Sequence, residues 1–533
     1  MDIQTQDSDS SRTFPPGTIV LEDRRASHTE LILSPTPSDD PNDPLNWSPL
    51  RKGVNFALTC SYVCFTFVLI DINSLAYRAY IAELGLTYAT FNMASGSSFI
   101  GLALGCLFFL PCVHKFGRRP IYLLSAVVQF ASAAWWANFH KAGELIGVSL
   151  LAGLAGSISE AIVMITIVDL FFVHQHARLN GIFVFMQSLG TTGGPIACGY
   201  IVVDLGWRWM WWIVAIFLGV NLLLVLFFFE ESKYVPTLVG RPSSPGRNSV
   251  TDDPTNATDD KSLAEPVATH MSTAARPSRK SIRQRLAFVT VTPGPIFQHF
   301  YQPLIILFSF PAVAYTAVTY GTILAFFSAT SSAGSYFLIQ PPYDFSPSAI
   351  GLFHLGGFVG ALLATLVMSP LLDWMIIRLA KRNNGIFEPE MRLWMSIPAA
   401  LINFAAMLLY GIGLGRGLHW GVLAFALGLF GFGFITAADV ALTYLSDSYP
   451  DILADALIAV VFTRNGFAAI IRFAFTDWLA RMGIQNTFIV IGMIALASAI
   501  IPILLILYGK AARVRTAEKY RLYAKRQQVH RQR

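Results

Sequence analysis

The stretch SSPGRNSVTDDPTNATDDKS, residues 243–262, divides the chain. It lies inside residues 231–282, which are rich in Ser, Thr, Pro, Asp and Gly. Such a composition cannot bury enough apolar surface to offset the entropy of ordering it, so the segment reads as a disordered linker. Outward from it, in both directions, the chain turns apolar. A bilayer core takes about 20 apolar residues per helix. Six runs of that length precede the linker, near 53–73, 92–113, 120–139, 146–171, 180–203 and 208–229. Six more follow, near 303–329, 347–371, 393–413, 419–442, 456–476 and 486–508. Six, a linker and six again predict an all-α membrane protein with 12 transmembrane helices.

Composition supports this reading. The chain is 54% hydrophobic and 13% charged, where a soluble domain carries about 25% charged residues. The mean hydropathy is +0.54. The formal charge of +6 collects in short loops and at the C-terminus, so no nucleic-acid partner is implied. Cys60, Cys64, Cys106, Cys112 and Cys198 all fall in apolar runs without ligand spacing. They read as buried small hydrophobes, and no metal site is expected. The polar N-terminus lacks a signal peptide, leaving the first run as an internal anchor. The expected organisation is a cytoplasmic disordered tail (1–52), a first bundle (53–230), a cytoplasmic linker (231–300), a second bundle (301–508) and a basic cytoplasmic tail (509–533).

Lysine and arginine in short loops set orientation. Lys115, Arg118 and Arg119 fall between spans 2 and 3, and Arg378, Lys381, Arg382 and Arg392 between spans 8 and 9. Opposite loops hold about one each, at Arg78, Lys141, Arg208, Arg416 and Arg481. Both termini and the linker are therefore expected in the cytoplasm, with Asn46 and Asn256 unglycosylated.

Ionisable groups inside spans each cost several kcal/mol unless paired or wetted, and so mark pathways. Glu160 lies midway along run 4, Asp439 in run 10, Arg464 and Asn465 in run 11, and Gln187 in run 5. These, with Tyr444 as an aromatic cavity candidate, are the expected substrate and proton positions. The alternative for Glu160 and Asp439 is a structural pair; for His354 it is simple packing. Asp71, Arg472 and Asp477 read as side chains snorkelling to headgroups. Asp169 and Asp447 read as caps of spans 4 and 10. SEAIVMITIVDLFF and TAADVALTYLSDSY each carry an acid deep in the helix and a second about two turns later, an echo that fits a duplicated six-helix unit.

HKFGRRP, residues 114–120, resembles the D-R-x-G-R-R signature of the major facilitator superfamily, with His114 in the aspartate position. The resemblance implies that Gly117 turns the chain and that Arg118 and Arg119 form a cytoplasmic gate against acids and helix ends of the opposite bundle. Asp373 of SPLLDW would serve the second half. The run SLGTTGGPIACGY resembles the fifth-span signature of proton-linked drug antiporters through Gly190, Gly194, Pro195 and Gly199. Small residues at that spacing let another backbone approach, and proline supplies a hinge. DPLNWSPLRK, SEAIVMITIVDLFFVHQHARLNGIF, NNGIFEPEMRLW and TRNGFAA are similar to fungal twelve-span drug:proton antiporter-like transporters, a group that includes a polyamine-permease type. That resemblance, over residues 43–508 without the linker, implies two pseudo-symmetric six-helix bundles, alternating access and proton coupling. It implies a cavity lined by spans 1, 4, 7 and 10, with Glu160 facing Asp439. The superfamily's span-4 arginine falls at Ala152, and Arg464 would supply the buried positive charge instead. The expected function is proton-coupled efflux of a drug or secondary metabolite by a plasma-membrane monomer, the vacuolar membrane being the alternative site. Its partners would be a small organic substrate, protons and the bilayer, with no cofactor beyond the proton gradient. Proton-coupled uptake of polyamines or related cations, and a non-transporting nutrient sensor, are the competing readings. No G-x-S-x-G or H-E-x-x-H motif points to an enzyme.

Overall fold

The computed structural model describes residues 15–20, 42–171, 173–233, 285, 289 and 297–531. The linker expected at 231–300 lies almost wholly outside these residues. Span 1 is Pro49–Asp71, span 2 Tyr88–Phe116, span 3 Arg119–Asn138, span 4 Ala142–Leu170 and span 6 Trp207–Phe228. Span 5 is composite: Val173–Ser188, a π-turn at Leu189–Gly193, then Gly194–Leu205. Span 7 runs Gln298–Ser309 and Pro311–Phe337, span 8 Pro347–Phe353 and Leu355–Arg382, span 9 Ser396–Gly415 and span 10 Trp420–Ser448. Leu453–Ala497 is one continuous assignment broken at Gly483, whose φ of +72° takes the chain from span 11 into span 12. Among the described residues, ten helices are long and apolar enough to cross a membrane. One of them, Pro450–Lys525, contains two passes, and the interrupted span 5 completes the twelve.

Local chemistry explains the ends. Pro49, Pro311 and Pro347 sit in first turns, where a missing N–H costs little. Thr87 and Ser346 accept from the N–H groups of Thr90 and Ala349. With six passes in each half, the start of span 1, the end of span 12 and the described residues that flank the linker, Lys233 and Phe297, lie at one end of the molecule, called here the linker end; the other is the far end.

Among the described residues each half has two large apolar cores, and the C-terminal half has a smaller third cluster of Ile323, Ala399, Ala437 and Ala438. In the N-terminal half, Trp136, Phe139, Trp207 and Trp211 form the far-end core, and Phe56, Tyr122, Ile162 and Phe229 the linker-end core. In the C-terminal half, Met407, Tyr410, Phe430 and Phe488 lie at the far end, and Phe310, Tyr315, Tyr444 and Tyr449 at the linker end. Packing repeats between halves: span 2 lies on span 4 as span 8 lies on span 10. Spans 2 and 11, and the outer parts of spans 5 and 8, join the halves.

Two tail segments differ from expectation. Residues Ile19–Val20 pair antiparallel with Ile386–Phe387 in the loop after span 8. Residues 509–531 continue span 12 as a helix, Ile500–Arg531. Asp43 and Leu45, also in the expected disordered tail, are buried beneath span 1, where Lys52 Nζ donates to the Leu45 carbonyl at 2.9 Å.

Candidate functional site

The site begins where spans 2 and 4 come into backbone contact. A Cβ on Gly105 would lie 2.5 Å from the Leu154 carbonyl oxygen, and one on Gly101 2.6 Å from the Leu154 nitrogen. On span 7, a Cβ on Gly321 would meet Phe467 Cδ2 at 2.9 Å and Arg464 Cα at 3.5 Å. These approaches bring span 4 and span 11 to the same seam. There the Glu160 carboxylate forms an ion pair with the Arg464 guanidinium. Asn465 Nδ2 donates to the second carboxylate oxygen at 2.7 Å. The Arg464 guanidinium lies 4.8 Å from the ring centre of Tyr320, a cation–π distance. The Glu160 and Arg464 side chains are only 7% and 8% exposed.

A buried ion pair of this kind needs its remaining polar atoms satisfied. Two are not: among the described residues, Arg464 Nε and Asn465 Oδ1 lack a hydrogen-bond partner. Buried polar atoms are ordinarily paired, so these two stand out at the seam between halves.

The other expected positions part company. Asp439, expected opposite Glu160, makes no ion pair or hydrogen bond with it among the described residues. It is half-buried, and the charges that act on it are Arg392 and Asp373. The charges that act on Asp71 instead include Glu160 and Arg472. Span 10 aims Asp439 toward the linker-end charges rather than across to span 4. Tyr444 is 1% exposed and stands edge-on to Tyr315 in the linker-end core. Gln187 is half-buried, and its carbonyl accepts from Thr191 Oγ1 at 2.9 Å. Asp373 is exposed.

The expected gate residues pair within their own half. Arg118 forms an ion pair with Asp169 at 2.8 Å. The two Glu231 carboxylate oxygens accept from the backbone N–H groups of Arg118 (3.0 Å) and Arg119 (3.1 Å). Gly117, at φ +103°, leaves room for that carboxylate, which a Cβ would strike. Lys233 Nζ donates to the Lys115 carbonyl at 3.1 Å. Burial and the neighbouring Arg118 push the Lys233 ammonium down to about 8, against the pull of Glu231 and Asp169. Across the molecule Arg392 pairs with Asp447, so Asp447 is more than a helix cap.

The glycines of span 5 act in two directions. Gly190 and Gly194 face span 1, where a Cβ would meet the Cys64 carbonyl at 2.5 Å and Val68 Cγ2 at 2.8 Å. Gly199 faces the other half, 2.7 Å from Pro347 O by the same measure. The Pro195 carbonyl in turn crowds Gly351 at 2.6 Å. The π-turn sits immediately before Pro195, which cannot donate a helix hydrogen bond.

A second polar group crosses the halves nearer the far end. Ser332 Oγ donates to Asn92 Oδ1 (2.6 Å), Asn92 Nδ2 to Thr476 Oγ1 (3.0 Å), and Tyr88 OH to the Ser332 carbonyl (2.9 Å). Arg472 Nε donates to Ser328 Oγ at 2.8 Å, and Arg472 is buried, not snorkelling. Asp477, by contrast, is exposed. The signal in the sequence was the four-residue spacing of Tyr88 with Asn92 and of Ser328 with Ser332, which puts each pair on one helix face.

Comparison with known proteins adds the following. The family model described as Major Facilitator Superfamily matches residues 56–471. An uncharacterized MFS-type transporter of Schizosaccharomyces pombe is 30% identical over 92% of this chain and 89% of its own length. A Candida glabrata protein named multidrug transporter TPO1_2 is 26% identical, covering 91% of this chain and 79% of its own. The crystal structure of the human organic anion transporter MFSD10 shares the fold, with a TM-score of 0.53 and 16% identity over 86% of this chain and 100% of that one.

Proposed function

The chain belongs to the Major Facilitator Superfamily and is a non-enzymatic, multi-pass membrane transporter; from that premise we propose that it exports a small organic molecule in exchange for protons. The observation that carries this reading is the Glu160–Arg464 pair with its two unmet polar atoms. A proton on Glu160 neutralises the carboxylate and releases Arg464 and Asn465; loss of the proton restores the pair. Each state favours a different arrangement of spans 4 and 11, which belong to different halves, and so biases a rocking equilibrium. Asp439, with Arg392 and Asp373 beside it, would be a second carboxylate on the way to the linker end. Loop charge favours a cytoplasmic linker end, and this reading takes the protein as a monomer in the plasma membrane. The printed name of the C. glabrata relative supports export.

A second reading, uptake of polyamines or related cations, is favoured by Tyr320, whose ring face already carries a cation. A substrate ammonium would take the place of the guanidinium. Purified protein in proteoliposomes, given an imposed pH gradient and a labelled panel of drugs, secondary metabolites and spermidine, separates the two. Gradient-driven flux is expected for wild type and lost in Glu160→Gln; undiminished flux in that variant overturns the proton role. Spermidine moving with its own gradient into cells, and not drug leaving them, would select the second reading.

A further inference from the structure

The N-terminal segment Pro15–Val20, read as PPGTIV, touches neither Glu160 nor Arg464 among the described contacts. It nevertheless meets a constructed surface on the C-terminal half. Arg513, on the helix Ile500–Arg531, is 1% exposed. Its Nε and Nη2 donate to the two carboxylate oxygens of Glu390 at 2.8 and 2.6 Å. That leaves Nη1, which donates to the Pro16 carbonyl and, at 3.1 Å, to Thr18 Oγ1. Thr18 N–H closes a tight turn onto Pro15 O at 3.2 Å. The chain then adds Ile19 opposite Phe387 and Val20 opposite Ile386 as a two-residue antiparallel ladder.

Gly17 is what the surface selects. Its φ is +83°, a conformation that side chains resist. A Cβ there would lie 3.0 Å from Ser448 Cα and 3.1 Å from Pro389 Cγ, and would strike the Asp447 carbonyl. The turn is therefore pressed on the end of span 10 and on the EPEMRL loop at once. Without the segment, a buried guanidinium loses two acceptors and the Ile386–Phe387 edge loses its partner, and both are costly.

We infer that the linker-end face of the C-terminal half is a peptide-binding site for an extended segment of the type Pro-Gly-Thr followed by a strand, and that the chain's own residues 15–20 are its occupant. Recognition is by strand addition, with main-chain bonds giving affinity and the glycine position giving specificity. The occupant clips three elements together: the loop after span 8, the end of span 10 and the C-terminal helix.

The test uses the full-length chain. Gly17→Val expels the tail and leaves the site open. In detergent, that variant is titrated with a fluorescent peptide of residues 12–23, RTFPPGTIVLED. It is expected to bind, while wild-type protein, its site occupied, binds about tenfold more weakly or less, a difference of roughly 1.4 kcal/mol. The same peptide with Gly17→Val is expected to lose about as much on the open protein. No binding to the open protein, or equal binding of the two peptides, overturns the inference. Should the variant fail to fold, Ile19→Cys with Phe387→Cys in the otherwise wild-type chain decides it. Mild oxidation is expected to link residues 19 and 387 within one chain, and failure to link them overturns the inference.

Discussion

The two halves repeat one packing scheme and invert one electrostatic scheme. Span 2 meets span 4 through Gly101, Gly105 and Gly153; span 8 meets span 10 through Gly356, Gly360 and Gly431. At the linker end each half ties the loop between its second and third spans to the segment that follows its last span. In the N-terminal half the loop contributes N–H groups and arginines, and Glu231 supplies the acid. In the C-terminal half the loop supplies the acids Glu388 and Glu390, and Lys510 and Arg513 the bases. Backbone approach tolerates no substitute for a missing side chain, so it recurs. A charge pair works in either sense, so its sign is free to change. The Glu160–Arg464 pair uses that freedom across the seam, acid from one half and base from the other.

The sharpest way to break the comparison is to reverse that seam. Arg464→Glu places two carboxylates at a buried site and is expected to abolish flux and cost about 3–5 kcal/mol. Adding Glu160→Arg should recover part of the thermal stability; no recovery would show that the pair is not interchangeable in sign. The two linker-end ties should then differ. Glu390→Gln leaves the almost fully buried Arg513 without its counter-charge and should cost about 3–5 kcal/mol. Glu231→Gln, at a more open site, retains an acceptor and should cost about 1 kcal/mol. Equal losses in thermal unfolding would mean that the inversion carries no energetic difference.

Gly105→Val and Gly360→Val test the shared part. Each forces side-chain atoms into a backbone contact and should destabilise by about 1–3 kcal/mol, alike in the two halves. A loss in one half alone would deny the packing repeat. The smallest effect is a pH dependence at Lys233. Its folded value, about 8, lies below the 10.5 of a free lysine. Between those values the unfolded chain holds the proton that the folded chain has released, so stability rises with pH there. Hydrogen exchange at Arg118 and Arg119 should therefore slow from pH 8 toward 10, after correction for intrinsic rates, and Lys233→Met should flatten the trend.

Much was legible along the chain because a membrane imposes a one-dimensional rule. Every backbone polar group in lipid must be satisfied within its own helix, so span number and the glycine-rich fifth span could be read from composition and spacing. Glu160, Arg464 and Asn465 stood out singly because a charge in a span is costly. Their union could not be read, since residues about three hundred positions apart on different halves meet only after both bundles assemble. The packing of Tyr444 against Tyr315 was hidden for a related reason: helical periodicity does not say which face of an apolar helix meets the core. Asp439 and Glu160 occupy echoing positions, yet packing directs one to linker-end charges and the other to span 11. Likewise nothing in PPGTIV announces a partner. The sequence by itself determined how many helices form and which side chains would need company in lipid. Only the tertiary structure decided who keeps that company, because pairing depends on helix rotation and approach, quantities set by contacts across the whole molecule.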